Sequence, residues 1–230
     1  MEELKKYLES LKIQNIDQIL EKFNIYYDLL IEWNNKFNLT SITDKKDVEI
    51  KHFIDSITSF NYIESNSYIC DIGAGAGFPS IPLAIIKPDC KFILIDSLNK
   101  RINFLQEIID KLGLNNCKCI HTRVEDFAIK NRNSFDYTIA RAVAPTNILL
   151  EYTIPLLKIN GKLIAYKGSN IEEELSQAQN AFKILNCLIT NKINLQLPNG
   201  DFRCLLEVQK LNNNSNKYPR LGNKPRTNPL

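Results

Sequence analysis

The sequence predicts a doubly wound α/β sheet, mostly parallel, that ends in an antiparallel hairpin and follows a helical extension. Three observations carry this. From residue 67 onward, short apolar runs alternate with amphipathic stretches, the rhythm of βαβ units. The run Cys70-Asp-Ile-Gly-Ala-Gly-Ala-Gly-Phe-Pro79 sets three glycines at alternate positions between a strand-like and a helix-like segment. Near the end, two strand-like runs flank Pro198-Asn-Gly-Asp201, a hairpin signal that makes them antiparallel neighbours.

Each element follows from its own pattern. In the extension, Ile16, Ile19, Leu20, Phe23, Tyr27, Leu30 and Trp33 recur at helical spacing. A turn is expected over 38–43 and a second helix over 47–60. Strands are expected at 67–71, 91–95, 117–121, 136–140 and 161–166, with helices at 79–87, 99–112, 145–157 and about 171–186. Ile102, Leu105, Ile109 and Leu112 form the apolar stripe of the 99–112 helix, and Gly113 suits its C-cap. Pro79 and Pro82 fit an opening turn, whose N–H groups lack intrahelical partners, and Pro88 closes that helix. The hairpin strands are Asn191–Leu197 and Phe202–Gln209. Three regions result: an extension over 1–62, a core over 63–210 and a basic tail over 211–230. The tail carries Lys217, Arg220, Lys224 and Arg226 with no acid, and is too polar to order itself.

The 230 residues suffice for one substantial domain, and a net charge of +3 neither requires nor excludes nucleic acid. The cysteines at 70, 90, 117, 119, 187 and 204 have neither zinc nor redox spacing, so no metal is expected and they read as small buried hydrophobes. No apolar run approaches the roughly 18–20 residues that span a bilayer, and the opening Met1-Glu-Glu-Leu-Lys-Lys lacks signal-peptide order. A cytoplasmic protein without a membrane partner is the expectation.

The glycine turn offers backbone N–H groups and a helix N-terminus to a ligand above the sheet. The nicotinamide fingerprint is Gly-x-Gly-x-x-Gly, whereas here Gly73, Gly75 and Gly77 alternate behind Asp71. No Gly-Lys-Ser/Thr follows, which excludes a Walker loop. Asp96 ends the second expected strand, nineteen residues past Gly77, where a carboxylate can accept from ribose hydroxyls or cap the next helix. Together these resemble motif I and its sequel in class I S-adenosylmethionine-dependent methyltransferases, whose Rossmann-like sheet also ends in an antiparallel hairpin. The resemblance implies S-adenosyl-L-methionine as cofactor, with Asp71, Gly73, Gly75, Gly77 and Asp96 at its site.

The methyl acceptor is narrowed by absences. Carbon-5 methylation of a pyrimidine needs a cysteine nucleophile, and none lies between 120 and 186. Exocyclic-amine methylation usually shows an Asn/Asp-Pro-Pro-aromatic turn, where this chain has Ile139-Ala-Arg-Ala-Val-Ala-Pro145. Guanine nitrogen 7 presents an unprotonated lone pair, so alignment and charge neutralisation suffice without a base. Arg141 is the candidate for positioning, and no residue is assigned to catalysis with certainty.

The whole chain resembles the bacterial ribosomal RNA small subunit methyltransferase G family, also known as glucose-inhibited division protein B. The resemblance rests on Trp33-Asn-Asn-Lys-Phe-Asn-Leu-Thr-Ser41, His52-Phe-Ile-Asp-Ser56, Asp71 to Pro79, Ile95 to Arg101, Arg123-Val-Glu125, Ala140-Arg-Ala142, Lys167-Gly168 and Tyr218 to Arg226. It implies methylation of guanine nitrogen 7 in the 530 loop of 16S rRNA on the small ribosomal subunit. It also implies that Gly73, Phe78, Val124, Glu125 and Arg141 line the cofactor site. Ser80 and Asn99 stand where the family usually has glycine, and neither is expected to touch the chemistry. Arg123, Lys167, Arg203, Arg220, Lys224 and Arg226 are the expected phosphate-binding rim, joined by Arg141 and Lys217. His52 and Asp55 are expected to make a helix-to-loop bond rather than to catalyse. Two rival readings are a small-molecule methyltransferase, which needs a closed apolar pocket, and a non-catalytic RNA-binding assembly factor, which would tolerate Gly73→Asp.

Overall fold

A computed structural model describes residues 1–230. Its strands are β1 (Tyr68–Ile72), β2 (Lys91–Asp96), β3 (Cys117–His121), β4 (Phe135–Arg141), β5 (Leu157–Lys167), β6 (Cys187–Gln196) and β7 (Phe202–Lys210). They form one sheet in the order β3-β2-β1-β4-β5-β7-β6. The first five run parallel, and β7 runs antiparallel to both β5 and β6. Strand order reverses between β1 and β4, so a crevice opens above their carboxyl ends.

Alternation along each strand divides the core into two layers. In β1, Ile69 faces one layer while Cys70 and Ile72 face the other. The first layer is covered by the extension, with α1 (Glu2–Ser10), α2 (Ile16–Phe37), α3 (Lys45–Val48) and α4 (Asp55–Ile57), and by α5 (Ser80–Ile86) and α6 (Asn99–Leu112). The second is covered by α7 (Val124–Lys130), α8 (Thr146–Thr153), α9 (Ile171–Gln177) and α10 (Gln179–Ile184). The expected stripe of α6 is buried at Leu105, Ile109 and Leu112, joined by Phe104 and Ile108. Gly113 ends it with φ +63, its N–H on the Asp110 carbonyl at 3.2 Å. Trp33 docks α2 on α6: its Nε1 donates to Glu107 Oε2 at 3.1 Å and its ring lies 5.6 Å from Phe104. No helix is long and apolar enough to cross a membrane.

Several expected boundaries move. The helix expected over 145–157 ends at Thr153, and Ile154–Leu156 form one tighter turn around Pro155, whose ring removes an N–H. That releases Leu157 into a β5 of eleven residues. The helix expected over 171–186 breaks at Ala178 into α9 and α10. Pairing with β7 carries β6 back to Cys187, four residues before the expected start at 191. The hairpin turn closes as expected, Leu197 N–H on the Asp201 carbonyl at 2.9 Å and Gly200 N–H on the Leu197 carbonyl at 2.8 Å.

The tail is the largest correction, because it is ordered and packed. Glu151, fully buried in α8, accepts from Arg220 Nε at 2.9 Å, Arg220 Nη2 at 2.7 Å and the Arg220 backbone N–H at 2.8 Å. Arg132 donates to the carbonyls of Tyr218, Asn214 (3.0 Å) and Ser215 (3.3 Å). Pro225 is buried in a last helix, α11 (Lys224–Thr227). The composition of the tail is polar, but its partners are supplied by the core.

Candidate functional site

Two cavities open at the strand-order reversal and share Ala142 and Val143, just past the end of β4. The narrower, about 240 Å³, lies between the carboxyl ends of β1, β2 and β3. Its walls include Gly73, Asp96, Arg123, Val124, Glu125, Tyr152 and Arg226. The wider, about 690 Å³, lies over β4 and β5, and its walls include Lys51, His52, Asp55, Arg141, Tyr166, Lys167, Glu174 and Arg203.

The glycine turn is locked from three sides. Ala74 N–H bonds to the Ile95 carbonyl at 3.0 Å, and Gly75 N–H to Asp96 Oδ2 at 3.0 Å. Tyr26 of α2 donates its hydroxyl to the Ala76 carbonyl at 2.5 Å, so the extension reaches the turn. A Cβ built on Gly73, whose φ is +66, would stand 3.2 Å from Val143 Cγ2, at the seam between the cavities. At Gly77, with φ +91, a Cβ would lie 2.7 Å from both Ile81 Cγ1 and the Tyr26 hydroxyl. The turn therefore stays bare where a ligand approaches and where α2 packs.

Beside Gly75, Asp96 also accepts from Leu98 N–H at 2.9 Å and from Arg101 Nη1 at 3.2 Å. Behind the turn, Asp71 is buried, takes the Ser80 hydroxyl on Oδ2 at 2.6 Å and leaves Oδ1 without a partner. Burial drives its carboxyl up to about 8 against the Ser80 hydrogen bonds and the nearby Arg141 charge. Ser80 thus holds Asp71 from behind the turn and lines neither cavity. A bare turn, an accepting carboxylate at the end of β2 and an orphaned buried oxygen fit a cationic nucleoside.

In the wider cavity, Asp55 organises the cations. It is fully buried and accepts Arg203 Nε at 2.6 Å, Arg203 Nη2 at 2.9 Å and Arg141 Nη1 at 2.8 Å. It follows a π-helical turn, Glu49–Ile54, in which the Asp55 N–H reaches back to the Ile50 carbonyl. The Lys51 carbonyl accepts from Arg141 at 3.0 Å. His52 makes the expected helix-to-loop bond, Nε2 to Thr40 Oγ1 at 2.8 Å, and its Nδ1 lies 3.2 Å from Arg141 Nη2. Burial and the adjacent guanidinium lower His52 to about 3, so the imidazole is neutral and a poor base at neutral pH. Lys167 is buried against Glu174 at 2.6 Å.

The chain matches the family model described as rRNA small subunit methyltransferase G over residues 19–196. It belongs to that family. The protein of that name from Streptococcus uberis is 47% identical over 230 residues, covering 98% of this chain and 97% of its own. The Thermoanaerobacter sp. member is 48% identical over 216 residues, covering 92% and 90%. Among solved structures, M. jannaschii TYW2 in complex with AdoMet aligns with a TM-score of 0.58 at 18% identity, over 74% of this chain and 80% of that one. A SAM dependent methyltransferase from Aquifex aeolicus aligns at 0.54 and 17%, over 71% and 93%. At such identities these two attest the fold, a class I methyltransferase fold.

Set against the family's expected site, Gly73, Asp96, Val124 and Glu125 meet in the narrow cavity. Arg141 lies instead in the wider one, 5.0 Å above the Phe78 ring. That ring lines neither cavity, because it is stacked at 4.4 Å on His52 and at 5.3 Å on Tyr26. The expected phosphate rim disperses. Lys167 and Arg203 edge the wide cavity already paired, Arg123 and Arg226 edge the narrow one, Lys224 is exposed on α11, and Arg220 is spent on Glu151. Arg220 therefore anchors the tail through Glu151. Tyr26, Ala142 and Tyr152 were not legible as site residues. They reach it through packing and, at Ala142, through a φ of +56 that no spacing announces.

Proposed function

We propose that the chain transfers a methyl group from S-adenosylmethionine to nitrogen 7 of a guanine in the 530 loop of 16S rRNA. The observation that carries the acceptor is the wide cavity. It is lined by four cations, Lys51, Arg141, Lys167 and Arg203, and two of its candidate bases, His52 and Asp55, are disabled. His52 is held neutral with a depressed basicity, and the Asp55 carboxylate is consumed by two guanidiniums. An acceptor that must lose a proton is poorly served there, whereas a purine lone pair needs none.

Bound in the narrow cavity, S-adenosylmethionine would supply an electrophilic methyl on a positively charged sulfur. The two cavities share Ala142 and Val143, and glycine at 73 keeps the turn clear of the Val143 side chain, so ligands in the two cavities would be neighbours across that residue. Asp96 would accept from ribose hydroxyls once Arg101, only partly buried, swings aside. Arg141, fixed by Asp55 and the Lys51 carbonyl, would orient the base, and Lys51 with Arg203 would hold flanking phosphates.

The test is to incubate small subunits from cells lacking this protein with the purified chain and methyl-labelled S-adenosylmethionine. The label is then mapped by cleavage at 7-methylguanine. One mark in the 530 loop, absent with Gly73→Asp, is expected. A label on another base or another atom overturns the assignment.

A further inference from the structure

The tail returns to the site by a route that the sequence conceals. Arg220 is clamped to buried Glu151, and Arg132 gathers the carbonyls of Asn214, Ser215 and Tyr218. Buried Pro225 then fixes the next residue in place. That residue, Arg226, forms part of the wall of the narrow cavity together with Tyr152 of α8. Across this cavity the strand ends run from Gly73 after β1, through Asp96 closing β2, to Val124 and Glu125 just past β3. Arg226 stands on the β3 side, since its helix α11 packs on α8, and α8 in turn packs on α7, which begins at Val124.

We propose that Arg226 covers the adenine of the bound nucleoside, making the anchored tail a strap over the cofactor and not an arm for RNA. This rests on reading the narrow cavity as the adenosine pocket. With the ribose at Asp96, the base extends toward Val124 and Glu125, where Arg226 stands. A planar guanidinium stacks on a flat π system, a role a lysine ammonium fills poorly. A solvated RNA-binding arm needs no buried clamp, whereas a wall must be held in register. Here two clamps and a buried proline hold it.

The experiment measures S-adenosylhomocysteine and adenosine binding by calorimetry to the RNA-free full chain, as wild type, Arg226→Ala, Arg226→Lys and Gly73→Asp. Arg226 is exposed, so its variants keep the fold. The expected result is an affinity about tenfold lower for both ligands in Arg226→Ala, the factor given by about 1.4 kcal/mol. Arg226→Lys should recover little of it. Wild-type affinities in Arg226→Ala, with Gly73→Asp impaired, overturn the strap and leave the pocket standing. Undiminished binding in Gly73→Asp overturns the pocket and the strap together.

Discussion

A methyl group added at residue 77 has nowhere to go. Its two nearest neighbours, Ile81 and the Tyr26 hydroxyl, are both 2.7 Å from the new carbon, and the backbone is in the left-handed region. Gly77→Ala should therefore lose at least about 2 kcal/mol of unfolding free energy in a urea titration, from overpacking and strain together. A loss under about 0.5 kcal/mol would mean that α2 can retreat from the turn. At this scale the sequence was informative about residue types whose chemistry is local. Glycines at alternate positions and an acid closing a strand named Gly73 and Asp96 directly. It was silent about residues whose role depends on a partner elsewhere. Ser80 reads as an unremarkable substitution until its hydroxyl is found on Asp71, and Phe78 reads as lining until its stack on His52 and Tyr26 is seen.

Among the elements, the π turn has the widest reach. It places one carboxylate between arginines from β4 and β7, strands that are not adjacent in the sheet. Asp55→Asn would leave two largely buried guanidiniums facing a neutral amide. Removing one partner of a buried ion pair typically costs about 3 kcal/mol or more. Denaturant midpoints should fall accordingly, and methyl transfer should fall with them as Arg141 loses its register. Unchanged stability would show that the arginines find other acceptors. Periodicity made the α2 and α6 stripes legible, and Gly113 and the Pro198–Asp201 turn declared their elements outright. The ordering of the tail was hidden because its own residues are polar. The decisive groups, Glu151 and Arg132, lie 69 and 86 residues away from those they hold.

For the whole molecule, two buried groups give pH dependences of opposite sign. Asp71 is raised to about 8 in the folded chain from an ordinary 3.8. The stability it contributes is full below about 4 and is lost as pH rises through 8. His52 is lowered to about 3 from 6.5, so its contribution is present above about 6.5 and is lost as pH falls through 3. Between about pH 4 and 6.5 the two oppose each other, and the wild-type melting temperature should be nearly level there. Asp71→Asn should unmask a melting temperature that climbs with pH over that range, and His52→Phe one that declines toward pH 8. Thermal denaturation across pH 4–9 measures both, and parallel profiles for all three proteins would contradict the assignment. Binding of a cationic nucleoside near Asp71 should also favour its ionised form. Proton release on binding is then expected near neutral pH, readable as a dependence of calorimetric heat on the buffer's ionisation enthalpy.

The docking of α2 on α6 has a practical consequence. Trp33 is the only tryptophan in the chain and stands at that seam with its indole N–H on Glu107. Its fluorescence is an intrinsic optical gauge of whether the extension is seated. A red shift of that emission ahead of the loss of circular dichroism would reveal the helical cap lifting away before the sheet comes apart.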